Sequence, residues 1–255
     1  MENKNEKLNK VASITLFFWI MKVLATTLGE ISGDFLSMTL DIGYLISLAI
    51  TVVFLLVVLI IQLKASKFYA PLYWLVIVGT TTVGTEISDL MDRTLGLGYP
   101  LGSLVLFSCL LFVLFLWHKT EKKITVYPIT ETRIEIFYWV AILFSNSLGT
   151  AFGDFLTDNI GLSYLMGAVI TAGIIVVVLL LHYFTKINQM LLFWIAFIFT
   201  RPFGATFGDL MTKPLAKGGL NFGRGIAALI AAGLLTLIII YSGKQQQNDK
   251  EFKNI

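Results

Sequence analysis

Residues 19–34, WIMKVLATTLGEISGD, recur three more times in altered form: WLVIVGTTTVGTEISD at 74–89, WVAILFSNSLGTAFGD at 139–154 and WIAFIFTRPFGATFGD at 194–209. Each copy opens on a Trp and closes on an Asp fifteen residues later, pairing Trp19 with Asp34, Trp74 with Asp89, Trp139 with Asp154 and Trp194 with Asp209. Four of the five tryptophans in the chain obey this spacing, which chance does not explain. Gly29, Gly84, Gly149 and Gly204 stand five residues before the Asp, and Gly33, Ser88, Gly153 and Gly208 stand one before it. Ten residues after the Asp come Tyr44, Tyr99 and Tyr164, with Gly219 in the fourth copy.

A period of this size marks a repeat architecture. The Asp-to-Asp intervals are 55, 65 and 55, so copies one and three, and likewise two and four, lie 120 residues apart. A two-copy half was therefore duplicated in turn. The ten extra residues fall in the polar segment from His118 to Arg133.

Of the 255 residues, 56% are hydrophobic and only 14% charged, and the mean hydropathy is +0.82. That balance is far from a soluble domain's. Eight apolar stretches begin near Val11, Gly43, Tyr69, Gly98, Glu135, Ser163, Met190 and Asn221. Each is about twenty residues long, which at 1.5 Å per residue matches a hydrocarbon core of roughly 30 Å. Barrel strands are shorter and alternate in polarity, so strands are excluded. The expected fold is an all-α membrane protein of eight transmembrane helices, built from four parallel two-helix repeats that are pseudo-symmetric about the membrane normal. The expected divisions are a tail at 1–10, repeats at 11–67 and 68–117, a linker at 118–134, repeats at 135–187 and 188–243, and a tail at 244–255. The basic Met1 to Lys10 followed by an apolar run has the look of a signal peptide. That run belongs to the first repeat, so its retention is expected.

On the four Trp positions the chain resembles a family of bacterial integral membrane proteins of unknown function, with four tandem repeats of two transmembrane segments and a characteristic Trp. The resemblance covers Val11 to about Tyr241 and implies architecture, not chemistry.

Thirteen Lys and Arg lie in the two tails and in the second, fourth and sixth connections: Lys4, Lys7, Lys10, Lys64, Lys67, Lys119, Lys122, Lys123, Arg133, Lys186, Lys244, Lys250 and Lys253. The other side carries four, Arg93, Lys213, Lys217 and Arg224. The positive-inside rule predicts a multi-pass protein of the cytoplasmic membrane with both termini cytoplasmic and the Asp-bearing connections outside.

Candidate chemistry centres on the Asp end of the motif. Positions four and eight residues before each Asp share its helical face. They read Glu30 and Thr26, Thr85 and Thr81, Thr150 and Asn146, Ala205 and Arg201. Such a stripe is costly in lipid and is expected to face the bundle interior. The predicted ion-binding set is Asp34, Asp89, Asp154, Asp209, Glu30, Glu86 and Asn146, with the four Asp as metal ligands and the thioethers of Met91 and Met211 as further candidates. Glu30-Ile-Ser-Gly-Asp34 is similar to the Glu-x-Gly-Asp signature of some manganese and calcium exporters, lengthened by one residue. Arg201 is expected to pair with a motif Asp, as a gate or as a structural salt bridge. Lys22 is expected to snorkel or to pair with a neighbouring helix.

Fifteen helical residues climb roughly 22 Å, which places each Asp near the outer boundary as an exposed cap. A break at the motif glycine would move it inward. Cys109 has no partner in the chain, and His118 and His182 read as interfacial residues rather than a zinc centre. Enzyme signatures are missing, nucleic-acid binding has no support, no resident cofactor is implied, and nothing specifies a homo-oligomer. The expected function is transport of a cation, a divalent metal with Mn²⁺ favoured, as an exporter coupled to protons or sodium. The alternatives are an exporter of an organic cation or small solute, and a membrane sensor or scaffold without flux. The expected partners are the lipid bilayer and the transported cation.

Overall fold

The computed structural model describes residues 8–253, apart from the side chains of Lys217 and residues 244–253. Lys4 and Lys7, the side chains of Lys217, Lys244, Lys250 and Lys253, and most of the predicted carboxy-terminal tail therefore lie outside the described residues. Eight α-helices are present among those described: α1 Leu16–Asp34, α2 Gly43–Lys64, α3 Ala70–Asp89, α4 Tyr99–Glu121, α5 Thr132–Asp154, α6 Tyr164–Phe184, α7 Gln189–Thr212 and α8 Arg224–Lys253. Seven of them are long and apolar enough to cross a membrane. The remaining one, α3, carries Thr80, Thr81, Thr82, Thr85, Glu86 and Asp89, all buried. Its polarity points inward.

The odd helices form an inner ring. α1 packs on α3, α3 on α5, α5 on α7, and α7 back on α1. The motif glycines make this close approach possible, since a side chain at Gly29 would meet Thr81, one at Gly84 would meet Asn146 and Ser147, one at Gly149 would meet Arg201 and Pro202, and one at Gly204 would meet Thr26 and Thr27. In every case the glycine of one copy abuts the residue eight before the Asp of the next, and the fourth copy closes onto the first. Small residues serve membrane helices in this way because packing, not hydrophobicity, drives their association. None of the four glycines breaks its helix, so the inward displacement expected from a break does not occur.

The even helices form an outer layer, and each packs mainly on the inner helix of the following copy: α2 on α3, α4 on α5, α6 on α7, and α8 on α1. Their outward residues, among them Leu45, Val53, Phe112, Val177 and Leu237, stay exposed, as an apolar solvent requires.

At the Trp end the ring is shut by aromatic side chains. Phe18, Tyr73, Tyr138 and Phe193 stand one residue before each Trp and are all buried. Phe18 leans on Trp74 at 5.6 Å, Tyr73 on Trp139 at 5.3 Å and Phe193 on Trp19 at 5.7 Å, so three of the four rings touch the Trp of the next copy. The hydroxyls of Tyr73 and Tyr138 meet at 2.5 Å.

The expected tail and linker are more structured than their polarity implied. α1 starts at Leu16 rather than Val11, and Asn9 and Lys10 are buried. Asn9 Oδ1 accepts from the Ile129 amide, Lys10 donates its backbone N–H to the Ile129 carbonyl, and its ammonium pairs with buried Glu135. The first residues and the 124–131 segment thus brace each other. α4 runs through His118 to Glu121, which shortens the linker.

Candidate functional site

The four motif aspartates end the inner helices and are buried, at 2–4% exposure, so the expected exposed cap is not what forms. In the first three copies the chain continues past the Asp in one π-helical turn, Phe35–Thr39, Leu90–Thr94 and Phe155–Asn159. Pro214 takes the equivalent place in copy four, has no N–H to give the Asp209 carbonyl, and the helix stops at Thr212 instead.

Two cations span the four carboxylates. Arg93 reaches Asp89 at 3.0 Å, Asp154 at 3.0 Å and Asp158 at 3.6 Å. Lys213 reaches Asp34 at 2.9 Å and Asp209 at 3.0 Å. Both cations stand four residues after a motif Asp, in copies two and four, so the clamp follows the 120-residue duplication. Arg224 adds a third contact, to Asp34 at 3.4 Å. Burial alone would lower the Lys213 pKa, but Asp209 and Asp34 outweigh it and raise it, which keeps the ammonium charged. The sequence singled out neither Arg93 nor Lys213 as a site residue. Their signal was present in the four-residue offset and the half-repeat spacing.

One turn deeper lie Glu30, Thr85, Thr150 and Ala205, all buried. Glu30 joins Asp154 and Asp209 in a cluster whose carboxylate oxygens lie within 4.8 Å of one another, contributed by α1, α5 and α7. Arg201 pairs with Glu30 at 2.8 Å, not with a motif Asp, and also donates to the Thr85 hydroxyl at 2.5 Å and the Thr81 carbonyl at 3.4 Å. Glu30 takes the role because it sits one turn below the Asp ring, nearer the level of Arg201.

The remaining predicted residues are placed elsewhere. Asn146 lies a further turn down and holds Lys22, accepting from Nζ at 2.9 Å and donating to Thr80 at 3.1 Å. Lys22 is therefore fully buried in the ring and does not snorkel. Glu86 turns off the axis towards α2, where its Oε1 accepts from Ser47 at 2.6 Å. Met91 packs against the hydrophobic core, Met211 is half-buried, and the Met38 sulfur accepts from Arg224 at 3.4 Å. The cluster donors are oxygens.

Eight helices, seven of them long and apolar enough to cross a membrane, with a buried, charge-lined axis inside the inner four, define a multi-pass integral membrane protein. A family model described as a repeat of unknown function (DUF347) matches residues 17–68, 72–123, 137–188 and 192–247, and the chain belongs to that family. Neither a curated protein nor a solved structure matches it.

Proposed function

We propose that the protein is a transporter that moves a cation along the axis of the inner ring, with a divalent metal as cargo and Mn²⁺ as its first candidate. The observation that carries this reading is the convergence of Glu30, Asp154 and Asp209 from three copies to within 4.8 Å. Carboxylates at that spacing supply hard oxygen ligands to one divalent ion. Arg93, Lys213 and Arg201 act as the counter-ions when cargo is absent. The charge asymmetry of the connections supports a cytoplasmic Trp end, an outward Asp end and residence in the cytoplasmic membrane. Export in exchange for protons or sodium fits a site that must be re-neutralised each time the ion leaves.

The test is Mn²⁺ flux in proteoliposomes. Glu30→Gln, Asp154→Asn and Asp209→Asn are each expected to lower it by about tenfold or more, the scale on which metal sites respond to loss of a supporting group. No flux in the parent protein, or unchanged flux in all three variants, overturns the reading.

One observation favours an organic cation instead. A largely apolar cavity of about 550 Å³ is lined by Phe107, Phe152, Phe155, Phe199 and Pro202 beside Gly149. Aromatic walls suit a lipophilic cation. Tetraphenylphosphonium competing with Mn²⁺ flux at micromolar levels would support that cargo, and its indifference would count against it.

A further inference from the structure

Below the carboxylates the axis turns positive. Lys22 and Arg201 are both fully buried, and the residues sharing their two layers are Ile77, Ile142, Phe197, Thr26, Thr81 and Asn146. Lys22 donates to Asn146 Oδ1 and stands 4.0 Å from the centre of the Phe197 ring. It has no carboxylate partner among the described residues. Arg201 has one, Glu30, reached only through Nη2, while its buried Nε and Nη1 donate to nothing. Asn146, which holds Lys22, and Arg201 occupy the same layer on the adjacent helices α5 and α7. Two cations thus share one carboxylate at this depth.

Unpaired charge in such a place is expensive. The guanidinium does not deprotonate, and its Nε and Nη1 stay open beside the one bond to Glu30. The motif aspartates do not resolve it either, since Asp34, Asp89, Asp154 and Asp209 already face Lys213, Arg93 and Arg224. The hydroxyls of Thr26 and Thr81 are spent on the Val23, Thr200, Val78 and Ala25 carbonyls. Arg201 Nε and Nη1 are the open charged donors here.

We propose that Lys22 and Arg201 form a binding site for a small monovalent inorganic anion of the halide class, set on the axis below the carboxylate cluster. A halide has acceptor capacity in all directions and brings no donor of its own, which matches the open Nε and Nη1 of Arg201 one turn from the layer of the Lys22 ammonium. The site shares Arg201 and the axis with the proposed cation path, and its test reads anion binding rather than flux, so the two can fail separately.

The full chain is purified in detergent and unfolded thermally in sodium gluconate, chloride or bromide at fixed ionic strength. Chloride and bromide are expected to raise the apparent Tm by about 5 °C or more at a hundredfold excess over Kd, because a ligand that binds the folded state stabilises it by mass action. The rise is expected to disappear in Lys22→Met and in Arg201→Lys, the second of which keeps a cation beside Glu30 but removes the guanidinium fork. No rise in the parent protein overturns the site, and so does an equal rise in parent and variants, which marks a general salt effect. If the variants do not fold, anomalous diffraction from the parent protein in bromide decides: a peak between Lys22 and Arg201 supports the site, and none at saturating bromide refutes it.

Discussion

One residue of copy four breaks the pattern that the other three copies keep at its level of the axis. Where the first three copies place Thr26, Thr81 and Asn146, the fourth places Arg201, and its guanidinium reaches across to Glu30 of copy one. Breaking a buried ion pair from one side leaves an uncompensated charge, at a cost of about 3–5 kcal/mol, whereas removing both partners is far milder. Arg201→Met and Glu30→Gln are each expected to destabilise the protein on that scale, and the double variant to recover most of the loss. A double-mutant cycle by thermal unfolding measures it, and additive losses would show that the pair is not coupled. The stripe on which Arg201 and Glu30 lie was legible from a spacing of four. Its partner was not, because helical periodicity fixes which face a side chain takes but not which neighbour that face meets. Arg93 and Lys213 were overlooked for a related reason: they belong to the turn after the motif, where hydropathy reads only the end of a span.

Helix contacts explain why the repeat keeps a glycine five residues before its Asp. A Cβ at Gly149 would lie 2.5 Å from Cβ and Cγ of Arg201 and 2.9 Å from Cδ of Pro202, atoms too close to the backbone to yield. Gly149→Ala is therefore expected to cost about 1–3 kcal/mol through overpacking. Gly173, in the middle of α6, has nothing within 4 Å of its virtual Cβ, and Gly173→Ala is expected to stabilise by up to about 1 kcal/mol through helix propensity. Unfolding midpoints that move in the same direction for both would contradict this assignment of the motif glycine. The eight helices and their parallel repetition were readable because each apolar stretch is long and the Trp-to-Asp interval is fixed. The π-helical turns were not readable, since one extra residue per turn leaves composition unchanged.

At the scale of the molecule the four copies form a closed cycle, and the first and last helices meet. Phe17 and Tyr241, near opposite ends of the sequence, pack ring to ring at 5.8 Å. Joining the termini by a short flexible linker and opening the chain between exposed Lys122 and Lys123 preserves every contact of the ring. That permutant is expected to insert and to show the parent's thermal transition, because the first and last helices pack together and the new break falls at an exposed turn. Failure to fold would mean that order along the chain, not the cycle, specifies the assembly. The staggered packing, with each outer helix resting on the following inner one, also bears on biogenesis. No two-helix repeat is a self-sufficient hairpin, and α1, made first, receives its covering helix α8 last. Lys22, Glu30 and Asp34 must wait for Asn146, Arg201, Lys213 and Arg224, all from the second half of the chain. During synthesis Glu30 and Asp34 of the first span therefore wait for their cationic partners until the seventh and eighth helices emerge.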